Sequence, residues 1–157
     1  MDVAISERVR VGAAGWMGGM LRRVLRELGV KDCRWTITIV GDRDMKALHR
    51  RTMGLETTTD VLTFDMRDDA RRDREGTAVE LDTVLCADEA RRRAAEGGHR
   101  VREELLLYAV HSLLHVQGYD DVTPAKARRM HLREDALLEA IGVGAVFERP
   151  RTRGGRR

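Results

Sequence analysis

Two histidines four residues apart, His111 and His115, close an apolar run and are followed by Gly118, Tyr119, Asp120 and Asp121. On a helix, residues at i and i+4 stand one turn apart on one face, so the two imidazoles can close on one ion. Gly118 permits the left-handed backbone that ends a helix, and the returning chain can bring Tyr119, Asp120 or Asp121 to the same ion. Two imidazoles, a carboxylate and an open position for water form a zinc-type ligand set. The competing reading is a pair of hydrogen-bonded core histidines, and the glycine and carboxylates that follow weigh against it. A metalloprotease helix carries Glu directly after its first His as general base. Ser112 stands there instead, which disfavours peptide hydrolysis.

The residues around this stretch must hold it in place. Glu103 and Glu104 suit a helix N-terminus, and the uninterrupted run from Leu105 to Val110 predicts a helix over about 101–117. Upstream, Trp16, Met17, Met20, Leu21, Val24, Leu25 and Leu28 recur at helical spacing, with Arg22, Arg23 and Arg26 on the other side and Gly29 as cap. Val3, Ile5, Val9 and Val11 alternate with polar residues, as in an edge strand. Strands are predicted over 35–40, 59–65 and 78–87 from alternating, β-branched residues. Asp42 or Asp44 is read as the cap of a short helix carrying His49, Arg50 and Arg51, and Asp88 as the cap of another ended by Gly97-Gly98. Residues 67–76 read as a solvent-exposed charged loop. Thr123-Pro124 opens a last helix that runs to about Ile141 and buries Met130, Leu137, Leu138 and Ile141. His131 on that helix is read as structural or solvent-facing rather than as a ligand, and residues 143–147 add a few contacts. The elements predict an α+β fold in which about five helices pack around one small mixed sheet of about four strands, the metal site lying at the end of a central helix.

Three ordered blocks resemble one family. His-Ser-Leu-Leu-His-Val-Gln-Gly-Tyr-Asp-Asp, residues 111–121, is similar to the motif His-Gly-x-Leu-His-Leu-x-Gly-Tyr-Asp-His of the YbeY endoribonucleases, bacterial rRNA maturation factors. Residues 58–64 resemble the family's Pro-Thr-Asp-Val-Leu-Ser-Phe block, and residues 81–86 its Gly-Asp-Ile-x-Ile-Cys strand. The chain departs from the pattern at several places, among them Asp121 at the third His, Met53 at the family's Arg and His49 at its Asn. The resemblance implies a single-strand-specific, metal-dependent endoribonuclease acting in ribosome biogenesis, at the 3′ end of 16S rRNA. It implies one zinc ion per chain held by His111, His115 and Asp121, with Asp120 as the competing third ligand. Arg50 and Arg51 are the candidates for the phosphate contact that Met53 cannot make, while Asp82 and Thr59-Asp60 shape the sheet and loop behind the site. No side chain stands out as a general base. The alternative is an RNA- or ribosome-binding assembly factor that keeps the fold and metal with weakened or no catalysis.

Composition narrows the setting. With 157 residues, 42% hydrophobic and 35% charged, the chain has the size and balance of one globular domain, expected over residues 1–148. No apolar run reaches the roughly 18 residues of a membrane span, and the early acids Asp2 and Glu7 leave no apolar signal core, so a cytoplasmic monomer is expected. Cys33 and Cys86 are too few for a disulfide framework and are expected to be buried thiols. Five arginines without an acid lie in residues 149–157, expected as a disordered basic tail; without them the net charge of +3 becomes −2 for the first 148 residues. Affinity for the expected partners, an rRNA precursor and the small ribosomal subunit, must therefore come from local cations or this tail.

Overall fold

The computed structural model describes residues 1–72 and 78–146. Four strands, β1 (Asp2–Glu7), β2 (Asp32–Val40), β3 (Val61–Asp65) and β4 (Ala78–Cys86), form one sheet in the order β1-β2-β4-β3. β1, β2 and β4 are parallel, and β3 runs antiparallel to β4 at the far edge. Five helices of eleven residues or more accompany the sheet: α1 (Ala14–Glu27), α2 (Asp42–Met53), α4 (Ala87–Gly97), α5 (Val101–Val116) and α6 (Pro124–Ala140). A single turn, α3 (Asp69–Arg72), precedes the undescribed residues 73–77. This is the expected α+β arrangement with a small mixed sheet.

Alternation along the strands assigns the two faces. Trp35, Ile37, Ile39, Leu81 and Leu85 are buried in the main core with Met17, Leu21, Val24 and Leu25 of α1 and Leu105, Leu106, Leu113 and Leu114 of α5. The opposite face carries Val40, Leu62, Phe64 and Val84, covered by Met45 and Leu48 of α2. Helix α5 lies against α1, α4, α6, β3 and β4, and every residue from Glu104 to Val110 is buried. Such all-round burial explains why it reads as an unbroken apolar run rather than an amphipathic stripe. Met130, Leu137, Leu138 and Ile141 are buried as expected, as are Cys33 and Cys86.

Several local readings change. The α2 helix begins after Gly41 with no side-chain cap of its own, and α4 begins after Cys86 in the same way. Asp88 does not cap its own helix. Its Oδ2 accepts the backbone N–H of Asp42 at 2.8 Å, while Asp42 reaches back to Arg92 at 2.8 Å and accepts from the Cys86 thiol at 3.3 Å. Each acid thus joins α2 to α4, a tertiary pairing that local cap rules do not encode. The Arg92 guanidinium holds the Asp42 carboxyl well below the ordinary range. Residues 67–72 are not a plain solvated loop, because Arg67 is buried. Thr123 caps α6 as expected, accepting from Lys126 N at 3.2 Å. Phe147 and the arginine-rich tail lie outside the described residues.

The end of β1 holds a feature with no local sequence signal. The Glu7 carboxylate accepts four backbone N–H groups, from Val11, Gly12, Ala13 and Ala14, at 2.9, 2.9, 2.7 and 3.0 Å. It therefore serves as the anion that the start of α1 lacks in its own first turn. Burial opposes ionisation, but the four donors outweigh it and the pKa is lowered. A lowered folded-state pKa stabilises the protein above the unfolded carboxyl value of about 4.3, and that stability is lost as pH falls through the folded value. Glu7→Gln should cost about 1–3 kcal/mol at neutral pH. In denaturant titrations, its difference from the wild type should shrink steadily below about pH 4.

Candidate metal centre

The last two turns of α5 present the two histidines together. His111 Nε2 and His115 Nε2 lie 3.0 Å apart with their rings edge to face. After Gln117, Gly118 adopts φ +99, and the N–H groups of Gly118 and Tyr119 return to the carbonyls of His115 and Leu114. This helix-ending turn reverses the chain and carries Asp121 back over the imidazoles. Its Oδ2 lies 3.6 Å from His111 Nε2, and its Oδ1 lies 3.8 Å from His115 Nε2. Asp120 points elsewhere, accepting Val122 N and pairing with Lys126, each at 3.2 Å.

These separations can be tested against a metal. Ligands about 2.0–2.2 Å from a tetrahedral zinc stand roughly 3.3–3.5 Å from one another, between the observed His–His and His–Asp distances. His111, His115 and Asp121 are the one group among the described residues whose ligand atoms converge in this way, all within 4.8 Å of one another. The residues fit the ion.

The surroundings orient this group. His111 Nδ1 donates to Glu134 Oε1 at 2.5 Å, and Glu134, only 1% exposed on α6, also accepts from His131 Nδ1 at 3.0 Å. A donating Nδ1 leaves Nε2 with a lone pair that could bind a metal, the arrangement that carboxylates behind metal-binding histidines impose. Burial disfavours the charged His111 ring, but the Glu134 hydrogen bond and charge, with Asp121 and Asp60, outweigh it and raise the pKa. His131 stands beside the triad, bonded to Glu134 and lining the same cleft as His111 and Asp121.

Behind α5 lies a buried chain of hydroxyls. Ser112 Oγ bonds Thr63 Oγ1 at 2.8 Å and Thr83 Oγ1 at 2.9 Å, and Thr83 also accepts the Trp35 indole N–H at 2.8 Å. Arg67 secures the helix end. Its Nη2 donates to the Val116 carbonyl at 2.7 Å while its guanidinium pairs with Asp65 at 2.8 and 2.9 Å. Sequence reasoning missed both Glu134 and Arg67. The i, i+3 spacing of His131 and Glu134 was the only available cue to the first, and the second lies in a run of mixed charges.

The other predicted residues are placed apart from the triad. Arg51 lines a groove with Arg8, Thr38, Asp44 and Val84 on the sheet face away from α5, and Arg50 is exposed, 3.9 Å from Glu56. Met53 is 63% exposed at the end of α2, whereas His49 is buried and bonds the Thr57 carbonyl through Nδ1 at 2.6 Å. Asp82 is exposed on the far sheet face, next to inward-facing Thr83. Asp60 lines the cleft beside His111, and its Oδ1 accepts Val61 N at 2.8 Å.

The sequence model for Endoribonuclease YbeY matches residues 6–142. The chain belongs to the YbeY family. It is 38% identical to the Endoribonuclease YbeY of Anaeromyxobacter sp. strain Fw109-5 over 144 residues, 90% of this chain and 68% of that protein. It is 31% identical to that of Bacillus subtilis strain 168, over 73% of this chain and 77% of the relative. The fold is also similar to a Thermotoga maritima protein determined in solution, with a TM-score of 0.64, 21% identity and 89% of each chain covered. Of the departures from the YbeY motif, Asp121 stands among the converging ligand atoms, and His49 and Met53 lie on α2.

Removing the Arg67 guanidinium would leave the Val116 carbonyl without its donor and Asp65 with only the backbone N–H of residue 67 and the more distant Arg72. Arg67→Met should therefore cost about 2–4 kcal/mol in chemical denaturation. It should also weaken zinc binding in a competition titration, because the Gly118 turn begins at the carbonyl that Arg67 holds.

Proposed function

We propose that this protein is a metal-dependent endoribonuclease, with one zinc ion held by His111, His115 and Asp121. The observation that carries the reading is the convergence of those three ligand atoms, backed by the Glu134 carboxylate on His111 Nδ1, in a member of the YbeY family. When bound, zinc would supply a positive charge that draws a proton from water and offsets charge on a phosphodiester. The chain's own residues prepare that chemistry. Glu134 fixes the His111 tautomer, Asp121 contributes a negative ligand that moderates the ion's charge, and Asp60 and His131 flank the cleft in which the substrate backbone would lie. Within this reading the substrate is a single-stranded segment of an rRNA precursor, at the 3′ end of 16S rRNA, presented by the small ribosomal subunit in the cytoplasm. Residues 1–148 act as one monomeric domain, and the tail adds uncompensated positive charge. No helix among the described residues is long and apolar enough to cross a membrane.

A second reading, an RNA-binding assembly factor that keeps the fold and metal without cleavage, is favoured by one observation. The family's Arg position holds Met53, which offers no cation. Incubating the zinc-loaded protein with single-stranded RNA separates the two readings: cleavage supports the enzyme, whereas binding without cleavage supports the factor.

Elemental analysis should find about one zinc per chain, and His111→Ala or His115→Ala should abolish it. In zinc-competition titrations, Asp121→Ala should lower affinity by about tenfold to a hundredfold, and Asp120→Ala much less. Equal zinc in the wild type and both histidine variants, or a larger loss for Asp120, would refute the ligand assignment. Deleting residues 149–157 should flatten the salt dependence of RNA binding, since that tail carries five arginines.

A further inference from the structure

Beside the triad, between α4, α5 and α6, lies a cleft of about 230 Å³ lined by Asp60, Arg93, Tyr108, His111, His131 and Glu134 among others. Two of these groups have unused bonding capacity. Tyr108 is only 5% exposed, and its hydroxyl has no hydrogen-bond partner among the described residues. A buried hydroxyl without a partner costs about 1–3 kcal/mol, a cost that a bound polar ligand would remove. Glu104 raises the phenol's pKa through its charge and, to a lesser degree, through a hydrogen-bond contact outside ordinary geometry, and it already engages His99 Nε2. Burial first, and then the negative charges of Glu104 and Asp60, keep the phenol protonated, so towards a group in the cleft that Tyr108 lines it is available as a donor.

Arg93 has the complementary property. Its Nε donates to Glu89 at 2.9 Å, and its two Nη atoms have no partner among the described residues. The side chain is about half exposed at the cleft, near Asp60 and Tyr108. The cleft's acids, by contrast, are engaged: Glu134 by two imidazoles, Glu104 by His99, Asp60 by Val61 N and Asp121 by His111 and His115. What remains available is a planar cation and a hydroxyl donor adjoining the metal ligand His111. Both suit an anionic, oxygen-rich ligand, and a guanidinium suits phosphate in particular.

We propose that this cleft seats a nucleotide flanking the scissile phosphate of single-stranded RNA, with Arg93 holding a backbone phosphate and the Tyr108 hydroxyl donating to the same nucleotide. The inference rests on the ribonuclease reading above and assigns its phosphate contact to α4, in place of the cation missing at Met53 and instead of Arg50 or Arg51.

The test is fluorescence anisotropy of a labelled single-stranded RNA oligonucleotide with the zinc-loaded full chain, between about 50 and 200 mM salt. Arg93→Gln should bind about tenfold more weakly, with a log–log salt slope shallower by about 0.7, the value of one single-strand phosphate contact. Arg93→Lys keeps the charge without the planar fork and should retain the wild-type slope at reduced affinity. Tyr108→Phe should weaken binding about threefold to tenfold with no change in slope. Zinc content and melting temperature verify each fold, and should Arg93→Gln fail to fold, Arg93→Lys and Tyr108→Phe carry the test. Wild-type affinity and slope in Arg93→Gln, or wild-type affinity in Tyr108→Phe, overturns the subsite and leaves the ribonuclease reading standing. Absence of RNA binding by the wild-type protein overturns both.

Discussion

A helix buried on all sides has no freedom to rotate about its axis. Helix α5 is enclosed by three helices and two strands, so turning it by one residue would drive Glu104 or His111 into the apolar core and expose leucines. Both moves are costly, because buried charge must be compensated and each leucine contributes about 1.5–3 kcal/mol of burial. The azimuth of His111 and His115 is thus set by packing along the whole helix rather than by the site itself. The hydroxyl chain from Trp35 through Thr83 to Ser112 adds a direction-dependent constraint, fixing the helix along the sheet as well as around its axis.

The site built on that helix concentrates negative charge. Asp60, Asp121 and Glu134 all act on His111, and each raises its pKa. Mutual repulsion among such groups is a standing cost to the protein, and a divalent cation is the species that relieves it most directly. Glu134 can be buried because its charge is balanced on two sides by imidazole donors, and it reaches the triad only through His111. Arg67 acts at the opposite pole of the turn. It places positive charge and donors at the negative end of α5, where carbonyls lack intrahelical partners.

What could be read from the chain follows the range of each signal. The His111–His115 pair and the Gly118 turn are local, and residue spacing alone placed them correctly on α5 and its exit. The strands were legible because alternation persists over their length, and the last helix because Thr123-Pro124 marks its start. Illegible were the side chains whose partners are remote. Glu7 serves a helix several residues on, Asp88 caps a different helix from its own, and Arg67 sits in a charged run beside exposed Asp68, Asp69 and Arg72. Composition and periodicity describe what surrounds a residue in sequence, whereas a tertiary cap is defined by what surrounds it in space. The convergence of Tyr108 and Arg93 on one cleft is of this second kind, joining α4 and α5 in a way that neither helix announces.

The Ser112 hydroxyl also constrains how this chain can change over time. The family motif carries Gly at that position, yet here two threonines and, through one of them, an indole N–H are linked to the serine. Restoring Gly alone would strand Thr63 and open a void beside the helix, whereas replacing both threonines first would strand the serine. The three positions therefore lie on a ridge where single steps lead downhill and only concerted replacement crosses. A residue outside the triad thereby restricts which sequences can be reached around helix α5.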